Sequence, residues 1–218
     1  MIETRVVVAG GMTFGRYAIR QALVDSDDIL VVGEAAVGAE AAREALQSGA
    51  HVLIYDASVG VDEGLRCLAV IRRQAPQTRV LMIADDPTGE VLLRAIAMGV
   101  SGVLGCETTR DELIRAVRRL GAGGAGPETT RLQDLFDTMR TRGGPRSSRR
   151  SGPRRPLSRQ EVSIVKSIAE GHTDREIADH LAIPVATVKS HIRSILKKTG
   201  AINRTGAIAA AFRSRVLE

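Results

Sequence analysis

Residues 173–204 read TDREIADHLAIPVATVKSHIRSILKKTGAINR, and the apolar spacing in this stretch decides the fold of the chain's last third. Thr173 and Glu176 are spaced as a capping box, whose hydroxyl and carboxylate satisfy free N–H groups of a starting helix. Ile177, Ala178 and Leu181 give that helix one buried face. A turn through Ala182, Ile183 and Pro184 follows, and a second helix sets Val185, Val188, Ile192, Ile195 and Leu196 on one side. Its other side carries Lys189, Arg193 and Lys197, each four residues from the last. This is a helix-turn-helix pattern whose second helix can enter a major groove with its cations outward. Double-stranded DNA is the expected partner.

Charge divides the chain in the same sense. Residues 1–122 hold 13 Arg against 16 acids, residues 141–156 hold six Arg and no acid, and residues 157–218 hold ten cations against six acids. Polyanion binding is thereby expected in the C-terminal third and not in the first domain. No run of about 18 apolar residues is present and no secretory signal opens the chain, so a cytoplasmic protein without membrane contact is expected. Cys67 and Cys106 lack metal-ligand spacing and form no disulfide framework, which suits a reducing compartment. No metal or cofactor is expected.

The segments Leu157-Ser158-Arg159-Gln160-Glu161, Ala169-Glu170-Gly171, Glu176-Ile177-Ala178, Thr187-Val188-Lys189-Ser190-His191 and Asn203-Arg204-Thr205 follow one another in order. Over residues 157–212 this series resembles the C-terminal domain of LuxR/NarL-type transcriptional regulators. The resemblance implies that Lys189, Ser190 and Arg193 face base edges, while Thr187, His191 and Lys197 make phosphate or positioning contacts. His191 reads equally well as a packing histidine. Pro184 departs from the family, which usually has a capping Ser there. The helix start is expected to be weaker by about 1 kcal/mol or shifted by a residue.

The first domain, residues 1–122, alternates apolar strands near 5–9, 29–33, 52–55, 79–84 and 102–104 with helical patterns near 14–25, 38–48, 62–74, 88–98 and 108–121. Five such units predict an α/β fold with a five-stranded parallel sheet, doubly wound and flavodoxin-like. Ligands of such folds gather at the carboxyl ends of the strands, here Gly10, Gly11, Asp56, Ala84, Asp85 and Cys106.

Val31-Val32-Gly33-Glu34-Ala35, Asp56 after the third strand, and Gly99-Val100-Ser101-Gly102 before the fifth resemble the receiver domain of two-component response regulators. Together with the LuxR-type domain this is the NarL/FixJ arrangement. The rim then departs from that family. Aspartyl phosphorylation needs Mg²⁺ held by an acidic pair after the first strand, yet those positions are Gly10 and Gly11. The expected hydroxyl is Ala84, the expected lysine is Cys106, and the aromatic switch position is Val103. Asp56 is thus read as a vestigial phosphoacceptor, an exposed strand-end carboxylate of a degenerate receiver. Rescue of a metal site by Asp85 and Asp86 is the less common alternative.

Gly10-Gly11, Gly15 and Glu34 partly mimic the fingerprint of a nucleotide-binding enzyme, but Met12 occupies the second glycine position of that fingerprint. No nucleophile–base pair is present either, so no enzyme is expected. Residues 123–156 read as a linker. Leu132, Leu135, Phe136 and Met139 predict a short helix near 129–140, and the Arg-rich segment 141–156 should be disordered. The DNA-binding domain spans 157–218 and ends in a helix of about 204–216. The whole is expected to regulate transcription without phosphorylation, as a homodimer or a heterodimer with a related regulator. A small-molecule ligand in the glycine-lined pocket and conventional phosphorylation of Asp56 by a histidine kinase are the alternatives.

Overall fold

The computed structural model describes residues 3–36, 38–57, 61–84, 95–124, 156–214 and 216–217. The expected linker helix near 129–140, the Arg-rich segment up to residue 155, and Asp85 and Asp86 lie outside them. The chain divides into two compact units, Met1–Ala122 and Gly123–Glu218.

In the first unit β1 (Thr4–Gly10), β2 (Ile29–Ala35), β3 (Val52–Asp56), β4 (Arg79–Ala84) and β5 (Gly102–Gly105) form one sheet in the order β2-β1-β3-β4-β5. Every pairing is parallel. The helices are α1 (Thr13–Val24), α2 (Ala39–Gln47), α3 (Val61–Gln74) and α4 (Arg110–Gly121), and residues 95–98 are also helical. β4 matches its apolar run, and the other four strands run one or two residues longer than theirs. Neighbouring backbone still pairs there, Ala9 with Ala35 and Gly10 with Asp56.

Period-two alternation sorts the strand side chains between two faces. Val6, Val8, Ile54 and Leu104 pack with Leu23 of α1 and with Leu113, Val117 and Leu120 of α4. On the opposite face Tyr55 meets α3 at Gly64, where a methyl group would come within 2.6 Å of the ring. Asp28 and Arg118 join α4 to the loop after α1 at 2.8 Å, and the guanidinium holds the Asp28 carboxyl below its ordinary range. The order reverses between β1 and β3, so the crevice of this doubly wound sheet opens at Gly10 and Asp56.

The second unit is all helical, with α5 (Arg159–Ala169), α6 (Asp174–Leu181), α7 (Val185–Thr199) and α8 (Arg204–Arg213). Ile164, Val165 and Ile168 of α5, Ile177 of α6, Val188, Ile192 and Ile195 of α7, and Ile208 and Ala211 of α8 form one core. The last helix stops at Arg213, three residues before the expected end. Val216 N–H bonds to the Ala211 carbonyl instead, and the chain turns so that Leu217 is buried in the core. Among the described residues no helix is long and apolar enough to cross a membrane.

Candidate nucleic-acid interface and receiver rim

The helix-turn-helix is fixed locally at both ends of α6. Thr173 Oγ1 accepts from Glu176 N–H at 3.3 Å and Glu176 Oε2 accepts from Thr173 N–H at 2.6 Å, the capping box read from the sequence. The helix ends at Ala182, which adopts the left-handed region at φ 51°, ψ 44°. The turn passes through Ile183 to Pro184, which is the N-cap of α7 and makes no side-chain capping bond. The helix start has therefore not shifted. Proline fixes φ at −62° and leaves the first N–H groups to the backbone, with Thr187 N–H on the Pro184 carbonyl at 2.9 Å.

Lys189, Ser190, Arg193 and Lys197 are all exposed on α7, while Thr187 and His191 are half-buried. The three cations recur every fourth residue and share a stripe opposite Val188, Ile192 and Ile195. What holds this stripe outward was not read from the sequence. Glu161 in α5 is buried, with 3% of its surface exposed, and it reaches three partners. Its Oε2 accepts from Ser158 N–H at 2.7 Å and from Lys198 Nζ at 2.6 Å, and its Oε1 accepts from Ser194 Oγ at 2.7 Å. Burial pushes this carboxyl up, but the bonds from Lys198, Ser158 and Ser194 outweigh burial and hold it at about 2. Ser194 and Lys198 follow Arg193 and Lys197 by one residue each, so one buried carboxylate fixes the rotation of α7 about its axis. The Ser-x-x-Glu spacing at 158–161 was a visible capping signal; the partners 33 and 37 residues on were not.

Arg204 supports the same unit from α8. Its guanidinium bonds to Asp174 Oδ1 at 2.5 Å and to the His172 carbonyl at 3.1 Å, tying α8 to the start of α6.

In the first unit Asp56 is not the exposed carboxylate expected. Only 8% of its surface is exposed, because the chain closes around it. A Cβ on Gly10 would lie 2.7 Å from Asp56 Cβ, and one on Gly15, in the first turns of α1, would lie 2.5 Å from Asp56 Oδ2. Arg16 Nη1 donates to the Gly10 carbonyl at 2.5 Å, and its Nε stands 3.8 Å from Glu34 Oε2. Ala84 is buried against Gly105 and offers no hydroxyl. Cys106 is exposed, with its Sγ 3.8 Å from Glu107 Oε2. Gly11 is exposed beside the crevice.

These residues do not fit Mg²⁺. Hard divalent cations require several oxygen ligands, and positions 10 and 11 supply no side-chain oxygen. Among the described residues no group of three or more His, Cys, Asp or Glu could hold a metal ion.

A receiver-type α/β unit joined to a helix-turn-helix unit defines the class, a DNA-binding regulator and not an enzyme. Residues 13–118 match the response regulator receiver domain, and residues 155–211 match the luxR family of bacterial regulatory proteins. The chain belongs to the response regulators that carry a LuxR-type DNA-binding domain. It is 29% identical to the response regulator protein VraR of Staphylococcus aureus over 203 residues, covering 93% of each chain. The response regulator ChrA of a heme-sensing two-component system is 27% identical over all of both chains, with a TM-score of 0.52. RcsB of Salmonella typhimurium is 22% identical, with a TM-score of 0.53 over 96% of this chain and 98% of its own, and shares the fold.

Proposed function

We propose that this regulator binds specific DNA as a dimer and does so without phosphorylation of Asp56. The observation that carries the reading is the closure of β1 and α1 on Asp56. The carboxylate sits where a phosphoryl group and its metal would have to enter, and glycines at 10 and 15 are what let the backbone come so near. A transferring phosphoryl group needs cations to neutralise its oxygens. Gly10, Gly11, Ala84 and Cys106 bring neither cation nor hydroxyl. The same closure argues against a small molecule in the glycine-lined pocket, since the Asp56 side chain takes the space beside Gly10 and Gly15.

In α7, Lys189, Ser190 and Arg193 read base edges, and Thr187, His191 and Lys197 position the helix on phosphates. RcsB, which shares the fold, has been seen as two dimers bound to two parallel DNAs. A dimer of this chain would set two α7 helices on half-sites about one DNA turn apart.

Intact mass after incubation with Mg²⁺ and a small phosphodonor, beside an Asp56→Asn control, tests the reading. The expected result is no adduct, together with specific DNA binding by the untreated protein. A phosphoryl mass lost in the control would overturn it.

A further inference from the structure

The tip of the helix-turn-helix is apolar where the rest of its exposed face is polar. Residues 182–186 read AIPVA, five consecutive side chains without a hydrogen-bonding group. Ala182, Pro184 and Ala186 are exposed, and Val185 keeps 37% of its surface in solvent. Where a capping serine would put a hydroxyl at this edge, Pro184 adds apolar surface instead. The tip is firmly held. Ile183 packs against the core of the unit, and its N–H bonds to the Ala178 carbonyl at 3.0 Å. The Pro184 carbonyl accepts from Thr187 N–H at 2.9 Å and from Val188 N–H at 3.2 Å.

Helical spacing sets this tip among the cations of α7. Ala186, Lys189, Ser190 and Arg193 stand at i, i+3, i+4 and i+7 and share one exposed face, and Val185 precedes Lys189 by four. The N-terminal residues of a recognition helix are the ones that meet base edges. Val185 and Ala186 bring no side-chain donor or acceptor to such an edge. The apolar group that the major groove presents is the C5-methyl of thymine. Against the amino group of cytosine or adenine, or against O6 and N7 of guanine, the same surface would displace water and return no hydrogen bond.

We infer that Val185 and Ala186 are specificity residues that select a thymine in each half-site by packing on its methyl group. This names part of the DNA sequence that α7 takes and rests on the reading of α7 given above. Ala186 lies about 4.5 Å from Lys189 along the helix axis, and bases on one strand follow one another at about 3.4 Å. The thymine therefore falls within about two base pairs of the base that Lys189 contacts. The tip chooses by shape and dryness, the cations by hydrogen bonds, and the rigid turn fixes the distance between the two.

The test uses the full chain and duplexes enriched by it from a random-sequence pool. Each thymine of the enriched half-site is replaced singly by deoxyuridine, which removes the methyl and keeps every hydrogen-bonding group, and affinity is read by fluorescence anisotropy. One position in each half-site is expected to lose about three- to fivefold, the worth of one buried methyl. The loss is expected to vanish in a Val185→Ser, Ala186→Ser double variant, which binds thymine and deoxyuridine duplexes alike and keeps the parent's helicity by circular dichroism. Ala186→Ser alone, at an exposed position, repeats the comparison should the double variant lose helicity. Specific binding in which no thymine responds, or in which the variants respond as the parent does, would overturn the role of the tip and leave the DNA reading standing. A pool that yields no duplex bound better than a scrambled one would overturn both.

Discussion

Gly15 and Asp56 are in backbone-to-carboxylate contact, so close that a methyl group on Gly15 would stand 2.5 Å from Asp56 Oδ2. The residue that would act in a conventional receiver is here part of the packing between β3 and α1. Gly10 makes the matching contact from β1, but with the Cβ of Asp56 at 2.7 Å and not with its oxygen.

The two contacts separate in a double-mutant cycle. Alanine in a helix interior is favoured over glycine by about 0.5–1 kcal/mol. Gly15→Ala is expected to deliver that gain in an Asp56→Ala background, where Oδ2 is gone, and to be neutral or destabilising with Asp56 present. Gly10→Ala is expected to destabilise both backgrounds by about 1–3 kcal/mol, since Asp56→Ala keeps the Cβ it strikes. Urea unfolding of the four combinations measures the coupling. Equal effects of Gly15→Ala in both backgrounds would remove the contact from the argument.

Glu161 predicts an acid-labile DNA-binding unit. Its folded value of about 2 lies below the ordinary 4.5, so its contribution is full above about 4.5 and is lost as the pH falls toward 2. Thermal unfolding of the full chain is expected to show a steeper loss of stability over that window than the Glu161→Gln variant. At neutral pH the variant should be less stable by about 2–3 kcal/mol, since its amide offers one acceptor oxygen in place of two and no negative charge to Lys198. A variant as stable as the parent at pH 7 would contradict the clamp.

Arg193 and Lys197 sit one turn apart on the same exposed stripe yet should fail differently. Arg193→Ala is expected to cost about 1–3 kcal/mol at matched sites and to relax base preference. Lys197→Ala should weaken all duplexes alike and reduce the salt slope by about one. Binding isotherms on matched and scrambled duplexes across a salt series compare the two. Identical behaviour would undo the division into base-facing and phosphate-facing roles.

Ala182 holds a left-handed conformation at φ 51°, which costs an alanine about 1 kcal/mol and a glycine almost nothing. Ala182→Gly is expected to raise the stability of the helical unit by about 0.5–1 kcal/mol, read as a shift in the denaturation midpoint. No gain would mean that the turn relaxes elsewhere.

Much of the scaffold was legible because its signals are local. The five strands announce themselves as short apolar runs, and Thr173 with Glu176 is a capping box whose two partners lie three residues apart. Pro184 offers no capping oxygen and so predicts a weaker or shifted helix start, yet α7 begins directly after it, because a fixed φ is already suited to a helix entry. The losses at Gly10, Gly11, Ala84 and Cys106 were visible as missing oxygens and a missing cation. Their consequence was not, because the burial of Asp56 depends on β1 lying in register with β3 and on α1 folding back over both. The clamp at Glu161 escaped for the same reason, its partners lying more than thirty residues away in sequence.

The close approach at position 10 sets a condition on any side chain placed there. An aspartate there would bring its Cβ within 2.7 Å of Asp56 Cβ, so one of the two strand ends would have to shift to admit it. On the proposal that Asp56 is not phosphorylated, an acidic pair at the end of β1 would need a concerted change in β1 and β3, not a single substitution.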